Sequence, residues 1–165
     1  MAWDKELISI HEKQATEERQ IQEGREAMMP AFLEALNGDL SREYSAAIQY
    51  VQHAAVMKGA AFDGIREELL NHADEEFAHA KKISDRINYL GGVPTLDVNS
   101  NMRTSEDSME LLRLNMELED EAIARYTERI EQSNEMGDYG TTNMLMEILE
   151  EEQEHRNDLI TSIGE

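Results

Sequence analysis

Apolar residues recur at steps of three and four along most of the chain, which is the spacing of one buried face on an α-helix. The pattern is clearest in four long stretches, and a weaker, more highly charged stretch precedes them. We therefore predict an N-terminal helix over residues 4–26, followed by four amphipathic helices at about residues 30–58, 64–90, 105–133 and 141–161.

The connections between these stretches indicate how the helices pack. Pro30 is expected in the first turn of its helix, where a missing N–H costs nothing, and Thr104 or Ser105 is expected to cap the third helix. Residues 91–104 show no periodicity, and when extended they reach about 46–50 Å. Because a helix of about 27 residues is about 40 Å long, this segment can run the length of a bundle.

These observations predict an all-α fold. Residues 1–28 should form a helical extension, and residues 29–165 should form a four-helix bundle with a long crossover between its second and third helices. The other two connections are short, as antiparallel neighbours require.

A single offset relates the two halves of the predicted bundle. Adding 76 to a residue number in the first helix pair gives a like residue in the second, without a gap: Leu36 and Leu112, Glu43 and Glu119, Tyr50 and Tyr126, Glu76 and Glu152, His79 and His155. This register indicates a duplicated helical hairpin packed on itself about a pseudo-two-fold axis.

Six ionisable residues fall on the predicted apolar faces, where leucines would be expected. They are four glutamates and two histidines: Glu43, Glu76, His79, Glu119, Glu152 and His155. Buried carboxylates are rare unless they are paired or bind metal, and four at one level of a bundle would repel one another. Two divalent cations would balance their charge.

The spacing of these residues also suits metal binding. Glu-x-x-His places both side chains on one helix face, and two such motifs with one glutamate from each of two other helices form a di-iron carboxylate arrangement. Glutamate oxygens and imidazole nitrogens suit iron(II) or manganese(II). We predict that the six residues bind two such ions, and the alternative is a set of buried Glu–His hydrogen bonds without metal.

Other polar residues near the predicted site leave their roles open. Tyr50 and Tyr126 lie two turns beyond Glu43 and Glu119, so they are either donors or redox groups beside the site or ordinary core residues with satisfied hydroxyls. His72 is expected to face inward as a satisfied core histidine, with a third metal ligand and a residue of an iron transit path as the alternatives. His11 and His53 are expected at the surface.

Composition and charge exclude several classes of protein. The chain has no cysteine, so disulfides, zinc–thiolate sites and iron–sulfur clusters are ruled out. Its formal charge of −21 disfavours nucleic acid as a partner and is compatible with attracting metal cations. The sequence shows no membrane span and no signal peptide, so we expect a cytoplasmic location.

Residues 29–160 resemble the ferritin-like superfamily, in particular the bacterioferritins and the Dps-like mini-ferritins with a bacterioferritin-type site. The resemblance rests on REYSAAIQY, HADEEFAHAKKISDRINYLGGVP, ELEDEAIARYTERI and ILEEEQEH, which contain all six candidate ligands. It implies a ferritin-like four-helix bundle with two iron ions per subunit, bridged by Glu76 and Glu152. It also implies oxidation of iron(II) by O2 or H2O2 and storage of ferric iron in a hollow shell.

Departures from the family pattern refine this expectation. Phe77 occupies the position of the bacterioferritin haem methionine, so haem is not expected, and the cysteine pair of many Dps-like proteins is absent. Ala122 replaces the extra glutamate of rubrerythrins. Because only six residues follow Leu159, no fifth helix is expected, which favours a shell of twelve subunits. The alternatives are a di-metal oxidase or oxygenase acting on another substrate and a metal-binding bundle without turnover.

Overall fold

The computed structural model describes the backbone of residues 2–164 and the side chains of residues 13–164. Its long helices are α1 (Ala2–Val56), α2 (Asp63–Tyr89), α3 (Ser108–Glu135) and α4 (Tyr139–Ile163), and a 3-10 turn at Ala60–Phe62 joins α1 to α2. Within the part of the chain that is described, no helix is both long and apolar enough to cross a lipid bilayer.

Helix α1 corrects the prediction of two separate N-terminal helices. It continues for 55 residues with Pro30 in its interior, so the expected start at Pro30 is wrong. Proline costs a helix interior about 3 kcal/mol, but strong helix formers flank it on both sides, and Pro30 is exposed to solvent, where its ring does not disturb the packing.

The N-terminal part of α1 projects beyond the bundle. All side chains from residues 13 to 24 are exposed, and Arg25 makes the first described contact with the bundle, 3.9 Å from Asp138. The side chain of His11 lies outside the described residues. The division into an extension at 1–28 and a bundle at 29–165 stays a prediction.

The predicted long crossover is confirmed. Residues 90–107 follow the C-terminal half of α1: the Asn37 side chain contacts the backbone of Val93 and Thr95, and the Arg103 N–H donates to Gln49 Oε1. Helix α3 begins later than predicted because Asp107, rather than Thr104 or Ser105, caps it by accepting a hydrogen bond from the Glu110 N–H.

Two apolar clusters fill the two ends of the bundle. One contains Leu36, Leu40, Ile83, Ile87, Tyr126, Leu145 and Ile148, and the other contains Tyr50, Leu69, Leu111, Leu112 and Leu159. On α2, Ile83 and Leu69 belong to different clusters, and Glu76 lies between them. The buried polar residues level with Glu76 therefore form a layer across the middle of the bundle, between the two apolar clusters.

Deleting residues 1–24 should leave the bundle folded, because none of the described side chains in that segment is buried. We expect thermal unfolding, followed by circular dichroism, to shift by less than about 3 °C, which corresponds to less than about 1 kcal/mol for a chain of this size. A large fall in the melting temperature would show that the extension packs against the bundle.

Candidate metal centre

The polar layer contains six side chains contributed by all four helices. Each is at most 3% exposed: Glu43 from α1, Glu76 and His79 from α2, Glu119 from α3, and Glu152 and His155 from α4. They form two groups of four that share Glu76 and Glu152, and within each group the candidate ligand atoms lie within 4.8 Å of one another. Steps of three along α2 and α4 produce this convergence, because residues i and i+3 share a helix face.

Both histidines direct Nδ1 into the layer. His79 Nδ1 lies 3.2 Å from Glu152 Oε1 and 3.3 Å from Glu43 Oε2. His155 Nδ1 lies 3.3 Å from Glu76 Oε1. Each imidazole therefore offers one nitrogen to the space between the carboxylates.

Many of the inward atoms lie close to one another but make no well-aligned hydrogen bond. They are Glu43 Oε2, Glu76 Oε1, Glu119 Oε2, both carboxylate oxygens of Glu152, and Nδ1 of His79 and of His155. Buried polar atoms without partners are rare and costly in folded proteins. A set of oxygens and imidazole nitrogens converging on one space fits the ligand preference of divalent iron or manganese.

Two further glutamates hold the outer nitrogens of the histidines. His79 Nε2 lies 2.7 Å from Glu151 Oε2, and His155 Nε2 lies 2.8 Å from Glu75 Oε2. A carboxylate on the far nitrogen fixes the orientation of a ligating imidazole and raises its basicity. The apolar pattern of the helices does not mark these residues, although Glu75 and Glu151 are related by the same offset of 76.

The two tyrosines connect the halves of the layer. The Tyr50 hydroxyl donates a hydrogen bond to Glu119 Oε1, and the Tyr126 hydroxyl donates one to Glu43 Oε1. Both rings are fully buried. They are thus core residues whose hydroxyls are satisfied by the candidate ligands, and a redox role stays a prediction.

The layer has two halves, one with Glu43 and His79 and the other with Glu119 and His155. The polar clusters beside these halves differ. Arg129 Nε donates to Asp39 Oδ2 at 2.7 Å, and Arg125 lies 3.6 Å from Glu43 Oε1. At the equivalent positions of the other half, Gln49 Nε2 donates to Asn115 Oδ1 at 3.2 Å. One half therefore carries a guanidinium beside its glutamate where the other carries a neutral amide.

His53 belongs to the neutral cluster, and its predicted place at the surface is wrong. It is fully buried, and its Nε2 lies 2.8 Å from the carbonyl oxygen of Arg103 in the crossover. The crossover buries His53 where it passes over α1. Helical periodicity does not predict the path of a segment outside the helices.

A small cavity leads to the layer between α1 and α3, beneath residues 99–102 of the crossover. Its volume is about 100 Å³, and its lining includes Arg42, Glu43, Gln49, Glu76 and Arg125. Organic ligands of drug size occupy pockets of about 300–1,000 Å³ with mostly apolar walls. This cavity suits a small polar molecule or an ion.

Burial and repulsion set the protonation of two of the glutamates. Burial, followed by the charges of Glu76 and Glu152, raises the pKa of Glu43 and of Glu119 well above the usual range. These two carboxyls therefore hold protons at a pH at which an exposed glutamate is ionised.

The histidines and the other two glutamates shift in the opposite sense. Burial opposes charge on the imidazoles, but contacts with Glu152 and Glu76 outweigh it and raise the pKa of His155 to about 10, and the pKa of His79 is also raised. Burial likewise acts against the carboxylates of Glu76 and Glu152, yet contacts with the two histidines lower both pKa values. Two imidazolium groups then face two carboxylates in the metal-free protein.

Comparison with known proteins identifies the fold family. The family model for the ferritin-like domain matches residues 33–165. The chain belongs to the ferritin-like family. The match begins within α1 and runs through the other three helices, and it leaves out the projecting N-terminal part of α1.

Relatives within the family include proteins of known structure. A bacterioferritin of Brucella melitensis is 30% identical over 82% of this chain and 88% of its own length. A ferritin-like, diiron-carboxylate protein of Bacillus anthracis is 29% identical with a TM-score of 0.79, covering 82% of this chain and 97% of that one. The dodecameric thioferritin of Bacteroides fragilis, a bacterioferritin-related protein, is 37% identical with a TM-score of 0.77, covering 82% of this chain and 85% of that one.

Metal binding should release protons. Glu43, Glu119, His79 and His155 hold protons in the metal-free state because their pKa values are raised, and each must lose its proton to act as a ligand. We expect a net release of protons on metal binding, and an affinity that rises with pH toward the His155 pKa of about 10.

Calorimetric titration with manganese(II), in buffers of different ionisation enthalpy and without oxygen, measures this release. Binding that releases no protons, or that weakens as the pH rises, would contradict the protonation states described above.

Proposed function

We propose that this ferritin-like chain is a ferroxidase. It binds two iron(II) ions through Glu43, Glu76, His79, Glu119, Glu152 and His155 and oxidises them with O2 or H2O2. The observation that carries the proposal is the convergence of buried carboxylate oxygens and imidazole nitrogens in the layer, many of which make no well-aligned hydrogen bond. Four carboxylates balance the charge of two divalent ions, and manganese(II) fits the same ligands.

The stoichiometry of the reaction suits a site for two ions. Each iron(II) loses one electron, and the pair of electrons with two protons reduces O2 to H2O2, or H2O2 to two molecules of water. Tyr50 and Tyr126 hold Glu119 and Glu43 in place, and Glu75 and Glu151 keep Nδ1 of each imidazole directed inward.

The lining of the cavity argues against oxidation of an apolar organic substrate. Its walls next to the layer carry Arg42, Glu43, Glu76 and Arg125, and such charged walls suit an ion or a small polar oxidant. A metal-binding bundle without turnover stays the competing function, and iron(II) oxidation kinetics separate it from a ferroxidase.

Storage of ferric iron requires a closed shell, and we propose one of twelve subunits. The dodecameric thioferritin of Bacteroides fragilis supports this number. An exposed apolar patch supports assembly: Ile48, Val51, Leu70 and Phe77 are 43–51% exposed. Tyr44 packs against Phe77, so these stripes of α1 and α2 adjoin, and burying them between subunits is favourable.

The remaining expectations stay predictions. Phe77, at the position of the family's haem methionine, offers no haem ligand, so the proposed protein works without haem. We propose no nucleic acid partner, and the cytoplasm stays the expected location.

Replacing Glu119 with glutamine should abolish rapid iron oxidation. The Glu119→Gln change keeps the shape of the side chain and an acceptor for the Tyr50 hydroxyl but removes the charged ligand. Changes to residues that only support ligands cost about 10–100-fold, so we expect the initial rate to fall at least about 100-fold. Stopped-flow absorbance after mixing with iron(II) and oxygen measures the rate.

Glu117→Gln provides the matched control on the same helix, because Glu117 is 56% exposed and pairs with Arg103. It should oxidise iron at the wild-type rate. A wild-type rate in Glu119→Gln, or no rapid oxidation in the wild-type protein, would refute the ferroxidase proposal.

The assembled protein should contain twelve chains of 18.9 kDa, or about 227 kDa. Light scattering after gel filtration measures this mass. A value near two chains, about 38 kDa, would leave a ferroxidase without a storage cavity.

The apolar patch provides a second test of assembly. Val51→Glu combined with Leu70→Glu places two charges on it and should reduce the mass while helix content stays constant. Leu96→Glu, at a crossover residue that is 92% exposed, is the control and should leave the assembly intact. An unchanged mass for the double variant would exclude the patch as a subunit contact.

A further inference from the structure

His72 is a buried histidine that the proposed centre does not use. It lies on α2 and is 1% exposed, with its ring stacked 4.2 Å from the His155 ring and edge-on to the Tyr50 ring at 5.3 Å. Neither ring nitrogen has a hydrogen-bond partner. Leaving such an imidazole unsatisfied is costly, and a leucine or isoleucine would fill the space at no such cost.

Two carboxylates face the ring of His72. Its Nε2 lies 3.6 Å from Glu68 Oε1 and 3.7 Å from Asp158 Oδ2. Those separations are too long for hydrogen bonds. Two ligands on one metal ion, each about 2.1 Å from it, are roughly 3.4 Å apart at a tetrahedral angle. The spacing therefore suits an ion lying between these atoms.

The cluster is open to solvent on one side. The side chains of Glu68 and Asp158 are each 46% exposed, whereas that of His72 is 2% exposed. A cation can thus arrive from solvent at the two carboxylates and reach the buried nitrogen. On its inner side, His72 forms a second group with Glu75 and His155, whose candidate ligand atoms lie within 4.8 Å of one another.

The duplication is broken at this cluster. The offset of 76 relates Glu68, His72 and Asp158 to Met144, Ile148 and Lys82. In that half Lys82 Nζ donates to Glu151 Oε1 at 3.1 Å, beside His79. Beside His155 the layer is thus flanked by two acids and a histidine, whereas the equivalent positions beside His79 carry two apolar residues and a lysine. The repeat alone does not explain the cluster.

We propose that Glu68, His72 and Asp158 form a third divalent-cation site, distinct from the two positions in the central layer. It takes first-row ions such as iron(II), manganese(II) or zinc(II) through Nε2 of the imidazole and one oxygen of each carboxylate. An ion held there lies beside Glu75 and His155, between solvent and the layer. Only its part in iron supply rests on the proposed ferroxidase function, since binding does not require turnover.

Zinc(II) binding to the full chain tests the site, because zinc is redox-inert and accepts the same ligands. Equilibrium dialysis at micromolar zinc and about 0.15 M salt, which screens loose surface binding, should give about three ions per wild-type chain. His72→Ile and Asp158→Lys, which introduce the residues of the other half, should each give about two. Zinc-edge anomalous diffraction from wild-type crystals should show an ion beside His72, and that peak should be absent from crystals of either variant.

The control is Glu147→Lys, which makes a lysine-for-acid change at an exposed residue that lies about 16 Å before Asp158 along α4. It should retain about three ions. Asp158→Lys alters a half-exposed residue, so it tests the site even if His72→Ile fails to fold.

Equal zinc stoichiometry in the wild-type protein and both variants would overturn the proposal, as would an equal loss in Glu147→Lys. A wild-type chain that binds one ion, lost in both variants, would support this site and refute the two-ion centre.

Discussion

Four carboxylates lie together in the middle of this bundle, where burial strengthens their mutual repulsion. The surrounding residues must reduce that repulsion for the chain to fold. Without metal, protons on Glu43 and Glu119 and charge on the two imidazoles reduce it. With metal, two divalent ions would replace those protons, so metal binding and proton release are linked. The apolar clusters at both ends exclude water and make either arrangement necessary.

The duplicated hairpin explains why the ligands occur in related pairs. Its departures from symmetry indicate where the half of the layer around His79 differs from the half around His155. Arg125 approaches Glu43, whereas its counterpart Gln49 bonds to Asn115. Lys82 neutralises Glu151, whereas its counterpart Asp158 faces His72. The half that contains His155 is thus the more favourable side for an approaching cation, since carboxylates rather than a lysine stand at its edge.

Helical periodicity and a repeat offset sufficed to predict the bundle, its crossover and the faces that carry Glu76 and His79, because these features depend on local spacing. They failed at Pro30, where flanking helix formers continue α1, and at His53, which the crossover buries. A loop without periodicity buries residues through tertiary contacts, and a local sequence pattern does not predict those contacts. The ligand roles themselves stay a prediction, because carboxylates and imidazoles can also pair without metal.

The middle layer is expected to hold two metal ions. Anomalous diffraction at the iron edge, from crystals prepared with iron(II) in the absence of oxygen, would locate them. Two peaks about 3.5–4 Å apart are expected, both between Glu76 and Glu152, one beside His79 and the other beside His155. A single peak in the layer, or iron bound only at surface carboxylates, would contradict this expectation.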